Sequence, residues 1–275
     1  MTDENNPLIP PMNARQTGVA ESKDGFDRWW ILVAIVAAII LLLVFMKPDP
    51  YQRMILFVRD GVMVTLTVTV SSFLLVMVLG LFAALGRLSK NPVISTLASV
   101  YVEVVRGVPL LVQIFAWYFA FPSIVQGIGD KFHIPAFQDY LANPVGMAIL
   151  GLTFCYGAYM SEIYRAGIQS ISRGQMEAAR SLGMTHFQAM RYIIIPQAVR
   201  VILPPVGNEF VSILKDSSLV SAVAVADITR RGREFISTNF IPLEGWMLVA
   251  LLYLLMTLFA SRIVTWIERK TRITR

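Results

Sequence analysis

The chain has 275 residues, of which 56% are hydrophobic and only 15% are charged, and its net charge is +6. A soluble domain is typically about 25% charged, because polar residues must cover its surface. This composition excludes an ordinary soluble globule and predicts an integral membrane protein. The basic residues lie beside apolar segments, which is typical of topology signals facing membrane lipid and not of a nucleic-acid surface. The single cysteine, Cys155, excludes a disulfide within the chain.

The apolar runs, in chain order, predict an all-α bundle with six membrane-spanning helices. Residues 1–28 are polar and rich in proline, and we interpret them as a disordered cytoplasmic tail. The first run, 29–46, is followed by no small-residue cleavage site, so we interpret it as a retained span and not as a signal peptide. The later runs are long enough to cross a bilayer as helices. They cover residues 62–85, 93–121, 145–164, 193–214 and 246–267.

The distribution of lysine and arginine predicts that both termini lie in the cytoplasm. If six spans alternate from an inside N-terminus, the inside segments carry nearly twice as many basic residues as the outside ones. The cluster Arg230-Arg231-Gly232-Arg233 opposes this trend, because it falls in an outside segment. It either docks a partner or is a solvated loop, and the sequence favours neither interpretation.

The predicted cytoplasmic loop 172–191 has the signals of ordered structure. Ser172 and Thr185 each precede a glutamine by three residues, Gln175 and Gln188, which is the spacing of a capping box at a helix start. Two short capped helices are therefore expected, the second leading into the membrane.

A helix over 173–182 would end at Gly183, a residue that commonly adopts the left-handed conformation after a helix. The spacing of Met176, Ala179 and Leu182 predicts an apolar edge along this helix. The loop is thus predicted to contain two helices joined by a glycine elbow.

The same loop carries a recognisable motif. Glu177-Ala178-Ala179, then Gly183, Ile193 and Ile195-Pro196, resembles the EAA loop of ABC importer permeases, with isoleucine where the family usually has leucine before the proline. In that family the loop forms a coupling helix that docks in a cleft of the ATPase subunit. The resemblance implies contact with an ATPase through Gln175, Glu177, Ala178, Ala179 and Gly183.

Further segments resemble the permeases of polar amino acid importers. Within residues 102–113, the stretch that starts at Glu103 matches the pattern E-x-x-R-G-x-P-L-L-x-Q, and similar matches occur at 161–168, 207–210 and 214–219. The resemblance covers residues 60–270, which we interpret as the permease transmembrane domain. Such permeases commonly have five spans, so the first run is an additional N-terminal span.

Polar residues inside the predicted spans are candidates for a solute pathway, because a charged group in hydrocarbon is costly unless it faces a cavity or another helix. Asn208 and Glu209 follow two consecutive prolines, which we expect to open the helix. Ser212 lies near the same face, and Gln113 is a further candidate. The alternative is that these side chains make polar contacts between helices.

Two acid–base pairs at helical spacing are predicted to neutralise each other. Glu103 and Arg106 are three residues apart, and Glu162 and Arg165 repeat that spacing. We expect ion pairs here in preference to contacts with a solute.

Several patterns are absent from the sequence. It has no glycine-rich phosphate loop, its two histidines are far apart, and it has neither a metal-ligand cluster nor a nucleophile motif. We therefore expect no catalytic residue, no metal, no cofactor and no intrinsic enzyme activity.

The leading hypothesis is the permease subunit of an ABC importer for a polar amino acid or derivative in the bacterial inner membrane. Its expected partners are a separate ATPase, an extracytoplasmic solute-binding protein, a second permease chain and membrane lipid. The alternative is a self-contained gradient-driven secondary transporter, although the inverted repeats typical of that class are not evident. A membrane scaffold is a third possibility, disfavoured by the polar residues within the spans. The solute stays open, because Glu209 suits a cation whereas Arg106 and Lys215 suit a carboxylate.

Overall fold

The computed structural model describes residues 29–271, and within this range all regular structure is helical, which confirms the predicted all-α class. The predicted tail, 1–28, lies outside the described residues. Two π-helical segments, Ala116–Ala120 and Met190–Ile194, join neighbouring helices, and a 3₁₀ segment covers Ser217–Val223. The α-helices are α1 Trp29–Met46, α2 Pro48–Arg87, α3 Pro92–Gly107, α4 Leu110–Phe115, α5 Phe121–Phe132, α6 Pro135–Gln138, α7 Pro144–Gln169, α8 Arg173–Ser181, α9 His186–Ala189, α10 Ile195–Asp216, α11 Ile228–Asn239 and α12 Pro242–Thr271.

Five helical stretches of the described chain are long and apolar enough to cross a membrane. They are Trp29–Met46, Pro48–Arg87, Leu110–Phe132, Pro144–Gln169 and Pro242–Lys270. The sixth predicted span, 193–214, falls largely in α10, which contains several polar residues and is not among the five. Because α10 has 22 residues, or about 33 Å of helix, it has the length to cross, and its span stays a prediction.

The structure divides the third predicted run, 93–121, into two helices. α3 ends at Gly107, Val108 is extended, and a new helix begins after Pro109. A proline disfavours helical dihedral angles in the residue before it, and that restriction explains the break. The spanning stretch is therefore Leu110–Phe132, and α3 precedes it as a separate helix.

The expected opening of α10 at its two prolines is wrong. Pro204 and Pro205 both lie inside a helix that continues from Ile195 to Asp216. Packing holds the helix at this point, because a Cβ atom added at Gly207 would lie only 2.1 Å from Cγ1 of Val264 in α12. Neighbouring helices commonly support a spanning helix where proline removes a hydrogen bond.

The centre of the bundle is the long contact between α2 and α7. Gly80 of α2 lies directly against Met160 of α7, and Gly157 of α7 lies against Leu79 of α2. Small residues let helix backbones approach closely in a membrane, where van der Waals packing and not the hydrophobic effect drives association. These glycines therefore set the separation of the two helices.

Ion pairs identify which helix ends lie together. Glu162 near the end of α7 binds both Arg165 and, at 2.5 Å, Arg87 at the end of α2. In the N-terminal half of α2, Asp60 binds Arg231 of α11 at 2.6 Å. The C-terminal parts of α2 and α7 therefore lie together, so the two helices run parallel, as an alternating arrangement requires of the second and fourth of six spans.

One of the two predicted acid–base pairs is confirmed and the other is wrong. Glu162 and Arg165 pair as expected, with Arg87 as an additional partner. In the described part of the chain no ion pair joins Glu103 to Arg106. The Arg106 guanidinium instead lies over the Tyr159 ring, 5.1 Å from its centroid, because α3 ends one residue later and the side chain turns towards α7.

The α2–α7 contact is tested by adding one methyl group. A Cβ atom at Gly80 would lie 2.7 Å from Met160 Cβ, so Gly80→Ala forces the helices apart. Overpacking of this kind costs about 1–3 kcal/mol. We expect a lower thermal unfolding temperature for the detergent-purified protein.

Gly127→Ala in α5 is the matched control, because nothing lies within 4 Å of the added atom. The control gains the helix propensity of alanine, about 1 kcal/mol, without a clash. Equal unfolding temperatures for the two variants would contradict the close contact.

Candidate solute pathway and coupling surface

The loop predicted to be ordered forms α8 and α9, joined by the glycine elbow. Thr185 and Gln188 complete a capping box, with hydrogen bonds of 2.8 and 3.2 Å between side chain and backbone. The first predicted box is incomplete. The Ser172 hydroxyl accepts from the Gly174 amide at 3.3 Å, but the Gln175 side chain lies 3.4 Å from Gln197 in α10 instead of reaching back.

The elbow at Gly183 has the conformation that its position predicts. Its φ is +82°, in the left-handed region that L side chains rarely adopt. The Gly183 amide donates to the Arg180 carbonyl and the Met184 amide to the Ala179 carbonyl, so the free carbonyls at the end of α8 are satisfied. This pattern fixes the direction in which the chain leaves α8.

The structure exposes four of the five residues expected to contact an ATPase. Gln175, Glu177, Ala178 and Gly183 are exposed, whereas Ala179 is only 1% exposed and packs within the chain.

The predicted apolar edge is correct for Met176 and Ala179 but wrong for Leu182, whose side chain is 81% exposed. The reason is that α8 ends at Ser181, so Leu182 no longer follows the helical repeat.

Sequence reasoning missed an apolar surface beside the elbow. Leu182, Phe187 and Tyr192 are 81%, 70% and 63% exposed. A hollow of about 260 Å³ lies between Leu182 and Tyr192, with Gly183, Met184 and Gln188 in its wall. Large apolar residues in a segment predicted to face the cytoplasm were the available signal, because exposed apolar clusters commonly mark a binding surface.

A second feature is a cavity of about 460 Å³ between the turn that joins α3 to α4 and the helices α7 and α10. Its wall combines charged, hydroxyl and aromatic groups. The lining consists of Arg106, Gly107, Val108, Pro109, Leu110, Cys155, Tyr156, Tyr159, Glu209, Ser212 and Asp216.

The polar groups of the cavity are largely unpaired. Asp216 accepts a hydrogen bond of 2.6 Å from the Tyr156 hydroxyl. Within residues 29–271, Glu209 and Arg106 form no ion pair, and Glu209 accepts no hydrogen bond. Unpaired charges of opposite sign in one concave site are suited to binding a small solute that carries both an ammonium and a carboxylate group.

The structure brings two of the four predicted pathway residues into this cavity. Glu209 and Ser212 line it together, as their spacing along one face of α10 implies. Asn208 is exposed on α10 but outside the lining.

Gln113 is buried outside the lining, and its amide donates to the carbonyls of Val105 at 2.8 Å and Val108 at 2.9 Å. It thereby satisfies the Val108 carbonyl and adds a shorter bond to the Val105 carbonyl, which otherwise accepts the Val108 amide at 3.4 Å.

The role of Gln113 in holding the α3–α4 turn is tested by Gln113→Leu. The change leaves the Val108 carbonyl without its donor and the Val105 carbonyl with only the Val108 amide, at 3.4 Å; an unsatisfied carbonyl costs about 1–3 kcal/mol where it is buried. We expect a clear loss of thermal stability. Asn208→Leu is the control, since Asn208 is exposed, and it should unfold at the wild-type temperature. If Gln113→Leu is as stable as that control, the amide does not hold the turn.

Comparison with known proteins gives the class of the chain. Residues 76–273 match the family described as binding-protein-dependent transport system inner membrane component. The chain belongs to this family. This membership confirms the family resemblance that the EAA motif and the polar amino acid motifs indicate. The chain is therefore a membrane transport subunit and not an enzyme.

Individual relatives are transport permeases. The chain is 36% identical over 214 residues to the glutamine transport system permease protein GlnP of Escherichia coli, covering 78% of this chain and 92% of that protein. It is 40% identical over 205 residues to the nopaline transport system permease protein NocM of Agrobacterium fabrum, covering 73% of this chain and 81% of that protein.

A solved crystal structure of an amino acid ABC transporter with histidines matches the fold of this chain. The match has a TM-score of 0.70 at 37% identity, and it covers 82% of this chain and 98% of that one. These matches favour the importer permease over the gradient-driven transporter.

Proposed function

We propose that this chain is the transmembrane permease subunit of an ABC importer that carries a polar amino acid or derivative across the bacterial inner membrane. A separate ATPase supplies the energy, an extracytoplasmic binding protein delivers the solute, and a second permease chain, a copy or a sister, completes the path. The observation that carries this proposal is a continuous connection between the exposed elbow and the polar cavity.

The connection is the helix that starts at the elbow. From residue 186 to residue 216, through α9, the π-helical segment and α10, the helix is unbroken and about 46 Å long. Its first turn follows α8 and the Gly183 elbow, which we call the coupling surface, and its last turns carry Glu209, Ser212 and Asp216. A displacement of the elbow therefore moves the wall of the cavity through one continuous helix.

The mechanism follows from this arrangement. When ATP closes the two ATPase subunits, they move the docked α8, and the Gly183 elbow passes the displacement to the helix 186–216. The wall of the cavity that contains Glu209 then shifts relative to Arg106 at the end of α3. The cavity opens to the outside in one state and to the inside in the other.

The solute would bind through groups that an α-amino acid always has. Glu209 is positioned to accept hydrogen bonds from the ammonium group, and Arg106 to bind the carboxylate. Ser212 and Asp216 add polar contacts on the same face of α10. Asn208 is exposed beside this face and joins the pathway where the second permease chain closes it, whereas Gln113 acts by holding the turn that follows Arg106.

Docking is tested by capturing the ATPase with the membrane-embedded permease. Leu182→Asp and Gly183→Asp alter the exposed elbow without contacting the core, because Leu182 is 81% exposed and nothing lies within 4 Å of an added Gly183 Cβ. We expect both variants to lose at least ten-fold in captured ATPase.

Leu141→Asp is the matched control, since Leu141 is 89% exposed in the loop before α7. It should capture ATPase normally. Equal capture by all three variants would show that the loop is not the docking site.

The role of Glu209 is tested by uptake into proteoliposomes that contain the permease, its ATPase and its binding protein. Glu209→Gln removes the charge that pairs with the solute ammonium, and a charged hydrogen bond is worth about 1.5–3 kcal/mol. We expect uptake to fall at least ten-fold while ATPase capture is unchanged. Glu103→Gln changes an exposed carboxylate outside the cavity and should transport normally. Normal uptake by Glu209→Gln would remove Glu209 from the pathway.

A further inference from the structure

The basic cluster at 230–233, for which the sequence left two interpretations open, lies on a folded helix and not on a loose loop. α11 begins at Ile228 and is capped by Asp227, whose carboxylate accepts a hydrogen bond from the Arg230 amide at 2.9 Å. Ile228, Gly232, Phe235 and Ile236 are buried. The helix is therefore held against the bundle by one face, and its arginines lie on or beside the other.

An ion network fixes the position of α11 against α2. Arg231 donates to Asp60 at 2.6 and 3.0 Å and to Glu234 at 3.0 Å, and Arg230 also donates to Glu234 at 3.0 Å. Burial raises the pKa of Glu234, but the hydrogen bonds from Arg230 and Arg231 outweigh it and hold the pKa below its usual value. Glu234 therefore stays charged at neutral pH.

The network leaves an excess of positive charge. Arg59, beside Asp60, and Arg233 are both exposed and have no acidic partner within residues 29–271. Arg233 reaches only the Ser221 hydroxyl, at 3.4 Å. Together with Arg230 and Arg231, four arginines lie beside the carboxylates of Asp60 and Glu234 and the buried carboxylate of Asp227, so the surface carries an excess of positive charge. Outside segments of membrane proteins normally contain fewer basic residues than inside ones, so this excess calls for a function.

An aromatic ring lies within the same surface. Phe57 is 42% exposed, packs on Phe235 at 5.5 Å between centroids, and lies under the Arg231 guanidinium at 5.7 Å. Arginine and large aromatic residues are enriched where protein partners contribute most binding energy. The surface formed by Phe57, Arg59, Arg230, Arg231 and Arg233 is here called the basic outer surface.

We propose that the basic outer surface docks an acidic face of the extracytoplasmic solute-binding protein, an inference that rests on the proposed function. Arg233 contacts Ser221 in the 3₁₀ segment that directly follows Asp216 of the cavity. A partner docked there lies beside the end of the helix that lines the pathway. Complementary charge steers such a partner and fixes its orientation.

The test uses the complete permease–ATPase complex in nanodiscs of zwitterionic phosphatidylcholine. The probe is the purified solute-binding protein that stimulates ATP hydrolysis by the wild-type complex. Arg59→Glu and Arg233→Glu are chosen because neither residue contributes an ion pair to the fold, and Lys131→Glu on α5 is the matched charge reversal at another predicted outside position. Binding is measured at several salt concentrations, and vesicles that contain phosphatidylglycerol are tested in parallel.

We expect each arginine variant to bind the solute-binding protein at least ten-fold more weakly, with a smaller dependence on salt, while Lys131→Glu changes affinity less than two-fold. Wild-type affinity in the arginine variants, with transport intact, would overturn the docking site and leave the proposed function standing. If all three charge reversals weaken binding equally, the effect depends only on overall charge, and the docking site is overturned as well. Loss of phosphatidylglycerol binding alone would assign the surface to lipid. A wild-type complex that no solute-binding protein stimulates would overturn the proposed function itself.

Discussion

A bilayer core offers no water to a charge or to a free backbone group, so each such group must be paired, placed at a membrane surface or turned into a cavity. The described part of the chain uses all three solutions. Glu162 is bound by Arg87 and Arg165 at one end of the bundle, and Arg231 is bound by Asp60 and Glu234 at the other. Two charges that form no ion pair within residues 29–271, on Arg106 and Glu209, line the same cavity. The cost of charge in the hydrocarbon thus leaves these charges in a cavity, where we propose that a polar solute binds.

Rigidity connects this cavity to the energy source in our account. The tight contact of α2 with α7, set by glycines, gives a fixed frame against which the helix 186–216 can move. The left-handed Gly183 and the capping box at Thr185 fix the angle at which that helix leaves the coupling surface. A flexible loop at this place would absorb a displacement, whereas a capped elbow transmits it.

Local signals made much of this predictable from the sequence. The elbow at Gly183, the cap at Thr185 and the Glu162–Arg165 pair each depend on residues a few positions apart, and the structure confirms them. The differences have both local and distant causes. Gln113 lies outside the cavity and donates to carbonyls five and eight residues earlier, across a turn that the apolar run 93–121 does not indicate. The expected Glu103–Arg106 pair is replaced by a contact of Arg106 with Tyr159, which depends on how α7 packs. Pro109 is a local signal for the break at Val108, but the length of the apolar run 93–121 favoured a single helix.

The most direct test of the central claim is whether the cavity is a water-filled path whose access depends on ATP. Cys155 is the only cysteine of the chain, so Cys155→Ser gives a cysteine-free background in which Ser212→Cys reports on the cavity. Its reaction with a membrane-impermeant maleimide is measured in the reconstituted importer. Ser212→Cys should react, at a rate that changes when ATP closes the ATPase, while Val70→Cys on the exposed face of α2 should not react. An unreactive Ser212→Cys, or a rate that ATP leaves unchanged, would contradict the account.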